Sequence, residues 1–129
     1  MIRFLSAEQV VDMHEALLEA YGGDEGGGHR GASYEGAEAA VQAVKNSYYE
    51  SLEELAAAYA VYIVQGHVFM DGNKRAASAA MLTFLDANGG RTRLTKQQVT
   101  DLMFDLQVRV ESGASPRTDD LIVWIAGQL

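Results

Sequence analysis

The sequence predicts an all-α protein, a single compact bundle of about six helices. Three observations indicate this class: apolar residues recur at helical spacing in six segments, capping residues precede several of these segments, and no alternating strand pattern of useful length occurs. A chain of 129 residues with 48% hydrophobic and 22% charged residues has the length and balance of one globular domain. We therefore expect one domain over residues 1–129.

The first two helices are predicted on either side of a glycine-rich connector. Residues 6–9, Ser-Ala-Glu-Gln, form a capping box that starts the first helix, and Gly22-Gly23 ends it. The glycines of residues 22–32 predict a flexible connector. An alanine-rich second helix is expected from about Tyr34 to Lys45, followed by a loop over residues 46–50.

The third and fourth helices form the predicted centre of the bundle. Residues 51–54 are a second capping box, and residues 55–64 are apolar on nearly every face, which is typical of a central helix. The fourth helix repeats this composition over residues 76–85 and ends at Asn88-Gly89-Gly90. Residues 66–75 therefore join the two helices of a buried helical hairpin.

The last two helices are predicted from a capping box and from a proline. Residues 95–98 start a fifth helix that ends at Ser112-Gly113, and Pro116 precedes Thr118, the expected N-cap of a sixth. The sixth helix buries Leu121, Trp124 and Ile125. Residues 93–99 are similar to residues 4–10, so we expect their lead-in residues to pair as a very short extended bridge.

Composition restricts the function classes. A formal net charge of −8 disfavours nonspecific binding to nucleic acids or to anionic membranes, and it favours a basic protein partner. The absence of cysteine excludes disulfides and a thiol nucleophile, and it fits a reducing compartment. Because no signal-peptide segment or apolar run of membrane-spanning length is present, we expect a cytoplasmic protein.

The junction between the third and fourth helices contains the candidate catalytic residues. His67, at the end of the central helix, can act as a general base, although a histidine that only hydrogen-bonds the helix end is an equal alternative. Phe69 is expected to anchor the turn in the core. Asp71 has two possible roles, as N-cap of the fourth helix or as an oxygen ligand of Mg²⁺.

The start of the fourth helix has the features of an anion site. Gly72 permits close approach of a ligand to the backbone, and Asn73, Lys74 and Arg75 follow it. Cations at a helix N-terminus cost about 0.3–1 kcal/mol each, so their presence indicates a compensating anion such as phosphate. The phosphate-loop, dinucleotide and His-Glu-x-x-His zinc motifs are absent.

Residues 67–75, His-Val-Phe-Met-Asp-Gly-Asn-Lys-Arg, resemble the signature of the Fic/Doc superfamily, His-x-Phe-x-Asp/Glu-Gly/Ala-Asn-Gly/Lys-Arg. Residues 34–37 and 49–52 are similar to two further family segments, so the resemblance covers essentially the whole chain. Within the superfamily the chain resembles the Doc (death-on-curing) toxins of toxin-antitoxin modules. Lys74 stands where Fic enzymes have glycine, Ser78 where they have arginine, and Val68 where they usually have proline.

This resemblance implies a Mg²⁺-dependent kinase that transfers the γ-phosphate of ATP, or of another nucleoside triphosphate, to a Ser/Thr hydroxyl of a translation elongation factor of the Tu type. By position, His67 is the base, Asp71 the Mg²⁺ ligand and Phe69 the anchor. Residues 72–75 bind phosphates. Tyr48 and Tyr49 belong to a flap that aligns the target. The alternatives are a protein adenylyltransferase and a catalytically degenerate binding module.

Regulation and target are also inferred from the resemblance. The chain lacks the inhibitory Ser/Thr-x-x-x-Glu-Gly/Asn motif of self-restrained Fic proteins, so we expect a separate antitoxin whose disordered tail folds on binding. Arg30 matches a family element in which Gly31 replaces the usual aspartate, and Val41 replaces a usual proline. These departures concern the identity of the target more than the chemistry.

Overall fold

The computed structural model describes residues 1–21, 30–69, 71–113 and 117–129, with the backbone alone at 30–32. Six helices occupy these ranges, namely α1 (Ala7–Tyr21), α2 (Arg30–Lys45), α3 (Leu52–Gln65), α4 (Asn73–Ala87), α5 (Lys96–Glu111) and α6 (Thr118–Gln128). No strand occurs in them, which confirms the all-α prediction. None of the helices described has the length and apolar character needed to cross a lipid bilayer.

Helix α3 is the centre of the bundle, as its uniformly apolar surface predicts. It packs against α2, α4, α5 and α6, and its most extensive contact is with α4. Every residue from Leu55 to Val61 is buried, as are Ile63 and Val64. The α3–α4 pair is therefore the buried hairpin expected from the sequence, and it holds the intervening turn from both sides.

Side-chain caps start three helices where the sequence predicts them. Residues 6–9 and 95–98 both form reciprocal capping boxes, in which the first hydroxyl accepts from the last amide and the last side chain accepts from the first amide. At α3, the Ser51 hydroxyl accepts from the Glu54 amide at 3.1 Å. These local bonds satisfy amides that have no partner within the helix.

Two helix starts differ from the prediction. Helix α2 begins at Arg30 rather than at Tyr34, because its packing against α1 and α3 outweighs the low helix propensity of Gly31. Thr118 is the first residue of α6 and not its cap, which is Arg117. The Thr118 hydroxyl instead donates to the Gln65 side chain at 2.8 Å. Pro116 and most of the predicted glycine-rich connector lie outside the described residues.

The prediction of a short extended bridge between residues 4–10 and 93–99 is wrong, since no strand or bridge occurs among the residues described. The Asn88 side chain takes its place at the N-terminal segment: its amide group donates to the Arg3 carbonyl at 2.9 Å and its oxygen accepts from the Arg3 amide at 2.7 Å. One side-chain amide thus makes the pair of hydrogen bonds that a second strand would supply.

Tyr59 attaches the N-terminal segment to the central helix. It is fully buried, and its hydroxyl accepts a hydrogen bond from the Leu5 amide at 2.9 Å. Burial raises the pKa of Tyr59 to about 12, while the Leu5 bond opposes this shift. This buried hydroxyl therefore ionises at a higher pH in the folded protein than in the unfolded chain.

We expect Tyr59→Phe to destabilise the fold by about 1–3 kcal/mol, because the buried Leu5 amide loses its acceptor. The folded pKa of Tyr59 lies above the unfolded value of 10.0, so its contribution is complete below pH 10.0 and is lost as the pH rises towards 12. Urea denaturation of both proteins between neutral pH and pH 12 should show the difference shrinking in that window. A difference that stays constant would contradict this assignment.

Candidate active site at the α3–α4 junction

Helix α3 ends in a Schellman motif that places His67 in a strained backbone conformation. The Val68 amide donates to the Ile63 carbonyl at 3.5 Å, and the His67 amide donates to the Val64 carbonyl at 3.3 Å. In this motif the residue at the His67 position is left-handed and usually glycine, and His67 has φ = 45°. A side chain there costs about 1–2 kcal/mol. Strain of this kind is typical of functional positions.

Phe69 anchors the turn that follows. Its side chain is 2% exposed, and its ring stacks on the imidazole of His14 in α1 with a centroid distance of 3.7 Å and an interplanar angle of 9°. Val68 is also buried, against the α2 backbone at Gly36. His67 itself is exposed between these anchored residues and the end of α3. Its imidazole is therefore accessible to a hydroxyl substrate.

The Asn73 side chain holds the turn closed. Its amide group donates to the Phe69 carbonyl at 2.7 Å, and its oxygen accepts from the Phe69 amide at 3.0 Å. The sequence predicts Asn73 as a phosphate ligand, whereas in this conformation both ends of its side chain bind Phe69. Phosphate binding by Asn73 stays a prediction, and its observed contacts assign it a positioning role.

Gly72 is the N-cap of α4, so Asp71 is not. Gly72 has φ = 80°, and a Cβ atom there would lie 3.3 Å from Nε2 of His14. Glycine is thus favoured both by the left-handed backbone and by the close approach of the His14 ring. Asp71 is exposed, and its Oδ1 accepts from the Gly72 amide at 2.8 Å. The expected N-cap role is therefore wrong, and the role of Asp71 as a metal ligand stays a prediction.

Asp71 fits the way in which proteins hold Mg²⁺ with a nucleotide. Among the described residues, no three His, Asp or Glu side chains converge to form a metal cage. Mg²⁺ keeps several waters and is commonly bound by one or two carboxylates together with substrate phosphates. A single exposed carboxylate next to a helix N-terminus fits that requirement, since the phosphates of a bound nucleotide would complete the ligand set.

Lys74 and Arg75 lie along one wall of a groove between α1, α4 and α5. The groove has a volume of about 750 Å³. Nζ of Lys74 lies 5.3 Å from the centroid of the Phe104 ring, and Cζ of Arg75 lies 5.2 Å from that of Tyr21. Exposed cation–π contacts contribute about 0.5–1 kcal/mol, less than the 1.5–3 kcal/mol of a charged hydrogen bond. A bound phosphate can therefore draw both cations from these rings.

Tyr48 and Tyr49, the predicted flap residues, are tied to α6. Both hydroxyls donate to the same carboxylate oxygen of Asp119, Tyr48 at 2.8 Å and Tyr49 in a shorter contact. The next residue back, Thr118, binds Gln65 at the end of α3. The first turn of α6 thus contacts both the predicted flap residues and the end of α3, two residues before His67, a link that the sequence did not predict.

The hydrogen bonds from Tyr49 and Tyr48 hold the pKa of Asp119 below its usual value. The stabilisation by these bonds is therefore complete above the usual pKa and is lost as the pH falls through the folded one. In Tyr49→Phe, we expect the pKa of Asp119 to rise towards its usual value. Titration of the Asp119 carboxyl followed by NMR measures its pKa in the wild type and in Tyr49→Phe. An unchanged pKa would show that Tyr49 does not bind Asp119 in solution.

His14 is the main site residue that sequence analysis missed. It is 2% exposed, and its Nε2 lies 2.6 Å from the carbonyl oxygen of Asp71. Its position four residues after Val10 placed it on the predicted buried face of α1, which was the one available signal. The partner lies 57 positions away in the sequence, so local patterns did not reveal it.

The profile of the Fic/DOC family matches residues 4–85, which include α1, the His67 turn and most of α4. The chain belongs to the Fic/DOC family. It is also similar to the protein kinase Doc of Escherichia phage P1, with 38% identity over an alignment of 92 residues, and the match covers 68% of this chain and 70% of that relative. The name of the relative describes that protein as a kinase. In this Fic/DOC protein, Phe104 and Asp119 lie beyond the segment matched by the family profile.

Proposed function

We propose that this Fic/DOC protein is a Doc-like toxin that transfers the γ-phosphate of ATP, or of another nucleoside triphosphate, to a Ser or Thr hydroxyl. The expected acceptor is a translation elongation factor of the Tu type, and its modification would arrest translation. The observation that supports this most is the position of His67. It is an exposed histidine with a left-handed backbone, and it lies next to the start of α4, where the Asn73 side chain binds the backbone of Phe69. Similarity to a relative named as a kinase favours the same chemistry.

In the proposed reaction His67 removes the proton of the acceptor hydroxyl as its oxygen bonds to the γ-phosphorus. The bond between that phosphorus and the β–γ bridging oxygen breaks, and the nucleoside diphosphate leaves. The imidazolium then returns its proton to water. Mg²⁺, held by Asp71 and the phosphates, would neutralise charge on the leaving group. Amides at the start of α4, together with Lys74 and Arg75, would hold the phosphates.

Lys74 distinguishes phosphoryl transfer from nucleotidyl transfer in this proposal. Fic enzymes that transfer a nucleotide have glycine at the position of Lys74. Here a half-buried lysine occupies it, with its ammonium group on the groove wall near Phe104. A bulky cation beside the helix start favours a different phosphate arrangement from that of an open glycine nest.

The proposal can be tested by incubating the protein with Mg²⁺, bacterial lysate and ATP labelled at either the α or the γ phosphate. We expect a protein band to become labelled with ATP that carries the label at the γ phosphate and not with ATP labelled at the α phosphate. His67→Ala should transfer no label. Label from α-ATP alone would establish the adenylyltransferase alternative. If no label is transferred, and the wild type and His67→Ala are equally harmful to cells, the protein acts as a binding module.

The groove between α1, α4 and α5 is our proposed site for the antitoxin tail. Its walls combine exposed aromatic rings, Tyr21 and Phe104, with the cations Lys74 and Arg75. These features suit an amphipathic helix that carries carboxylates near one end. The overall negative charge favours a basic partner in general, but this groove has a local positive charge. Binding there would also cover the two cations proposed to hold phosphates.

We expect Phe104→Ala to weaken neutralisation by an antitoxin encoded next to the gene, while phosphoryl transfer continues. Phe104 is 57% exposed, so the change removes an aromatic ring from the groove wall without disturbing the core and without placing a negative charge beside Lys74. Val108→Ala is the matched control, since Val108 lies one turn further along the same helix, is 50% exposed and does not line the groove. Equal loss of neutralisation in both variants, or in neither, would contradict this location.

A further inference from the structure

We propose that His14 is a positioning residue that sets the conformation of the Asp71-Gly72 peptide and so prepares the start of α4 to bind an anion. The identity of that anion, a nucleotide phosphate, rests on the proposed function. The positioning itself rests on three contacts of one buried ring. They join α1 to the turn between α3 and α4.

The first contact is a hydrogen bond whose direction is fixed by its partner. Nε2 of His14 lies 2.6 Å from the carbonyl oxygen of Asp71. A carbonyl oxygen can only accept, so Nε2 must carry the proton and donate. The ring is 2% exposed, which shields this bond from competition with water. His14 therefore acts here as a donor through a protonated Nε2.

The second and third contacts fix the ring in place. One face stacks on Phe69 at 3.7 Å, and the ring edge lies where a Cβ atom of residue 72 would come within 3.3 Å of it. Asn73 holds the backbone of Phe69 from the other side of the turn. The imidazole thus contacts both Phe69 and the Asp71-Gly72 peptide, and its closeness favours glycine at position 72.

The functional consequence follows from the geometry of the peptide bond. The Asp71 carbonyl and the Gly72 amide belong to one peptide group, in which C=O and N–H point in opposite directions. When His14 binds the carbonyl on the α1 side, the Gly72 N–H faces away from α1. It is met there by the Asp71 carboxylate at 2.8 Å. His14 thereby turns the Gly72 N–H away from α1 and towards the Asp71 carboxylate, the group that the proposed function assigns to Mg²⁺ beside the phosphates.

The first test uses the wild-type protein and needs no substitution. Nitrogen-15 NMR of the histidine side chains should show His14 with a protonated, hydrogen-bonded Nε2. A ring protonated only at Nδ1 would overturn the proposal. Because no transfer is measured, this result does not depend on whether the protein is a kinase.

The second test separates the hydrogen bond from the stacking. His14→Gln keeps a donor at about the position of Nε2, His14→Phe keeps a stacking ring without a donor, and Val10→Ala removes buried volume one turn earlier on α1. We expect His14→Phe to shift the Gly72 amide resonance and to lower transfer roughly 10- to 100-fold. His14→Gln should recover most of both, and Val10→Ala should leave both near wild type.

Two outcomes would overturn the positioning role. A loss of transfer in His14→Gln together with near wild-type transfer in His14→Phe would assign the effect to the ring rather than to the bond, and a normal Gly72 resonance in His14→Phe would show that the peptide needs no donor. If His14→Phe does not fold, the wild-type tautomer and His14→Gln still decide the question. A wild type with the expected tautomer but no transfer would instead refute the proposed function alone.

Discussion

Replacing His67 with alanine is expected to lower phosphoryl transfer by about 10²- to 10⁴-fold, the usual contribution of a general base. His67 is exposed and makes its backbone contacts at the end of α3, so removing the imidazole should leave the turn intact. Binding of ATP should remain close to wild type, because the proposed phosphate ligands are on α4. Initial rates with γ-labelled ATP and calorimetric titration with ATP measure the two properties separately.

His67→Gly provides the matched control for this prediction. Glycine adopts φ = 45° without the cost of a side chain, so this variant should be more stable than His67→Ala by roughly 1 kcal/mol while transferring equally little phosphate. Denaturant unfolding measures the difference in the free energy of unfolding. Substantial transfer by His67→Gly would refute the base assignment, and equal stability of the two variants would refute the strain.

Asn73→Ala is expected to have the second largest effect, a loss of transfer of roughly 100-fold, because a displacement of about 1 Å in a reacting geometry has a cost of this size. The variant leaves both the Phe69 amide and the Phe69 carbonyl without their side-chain partner. We expect the free energy of unfolding to fall by about 1–3 kcal/mol. Asn73→Asp keeps the acceptor but not the donor, and its free energy of unfolding should lie between those of the wild type and Asn73→Ala.

Asn88→Ala separates lost stability from lost positioning. Asn88 also holds the backbone of a distant residue through both ends of its amide, in this case Arg3 at the N-terminal segment. It should therefore lose comparable stability and retain transfer. If Asn88→Ala were as inactive as Asn73→Ala at a temperature where both are folded, the effect would be one of stability and not of geometry.

The predictions that succeeded rest on patterns local in sequence. The capping boxes at residues 6–9 and 95–98, the uniformly apolar α3 and the glycines after α4 each depend on residues within a few positions of one another. Such features identified the α3–α4 hairpin and, with it, the turn that contains His67. The same patterns place Lys74 and Arg75 on the first turn of α4, as the structure shows.

The features that were missed depend on pairs far apart in the chain. The bond between His14 and Asp71 spans 57 positions, and that between Tyr48 and Asp119 spans 71. The N-cap role allowed for Asp71 was wrong, since Gly72 turns left-handed against the His14 ring. Helix propensity alone also placed the start of α2 too late. In each case tertiary packing, which one sequence does not display, decided the local conformation.

The central claim is that this turn transfers a phosphoryl group rather than a nucleotide. The most direct measurement is the intact mass of purified elongation factor Tu after incubation with Mg²⁺, ATP and either the wild-type protein or His67→Ala. We predict the addition of one phosphoryl group on a Ser or Thr residue by the wild type and none by the variant. Addition of a nucleotidyl group, or the same phosphoryl addition by His67→Ala, would contradict the claim.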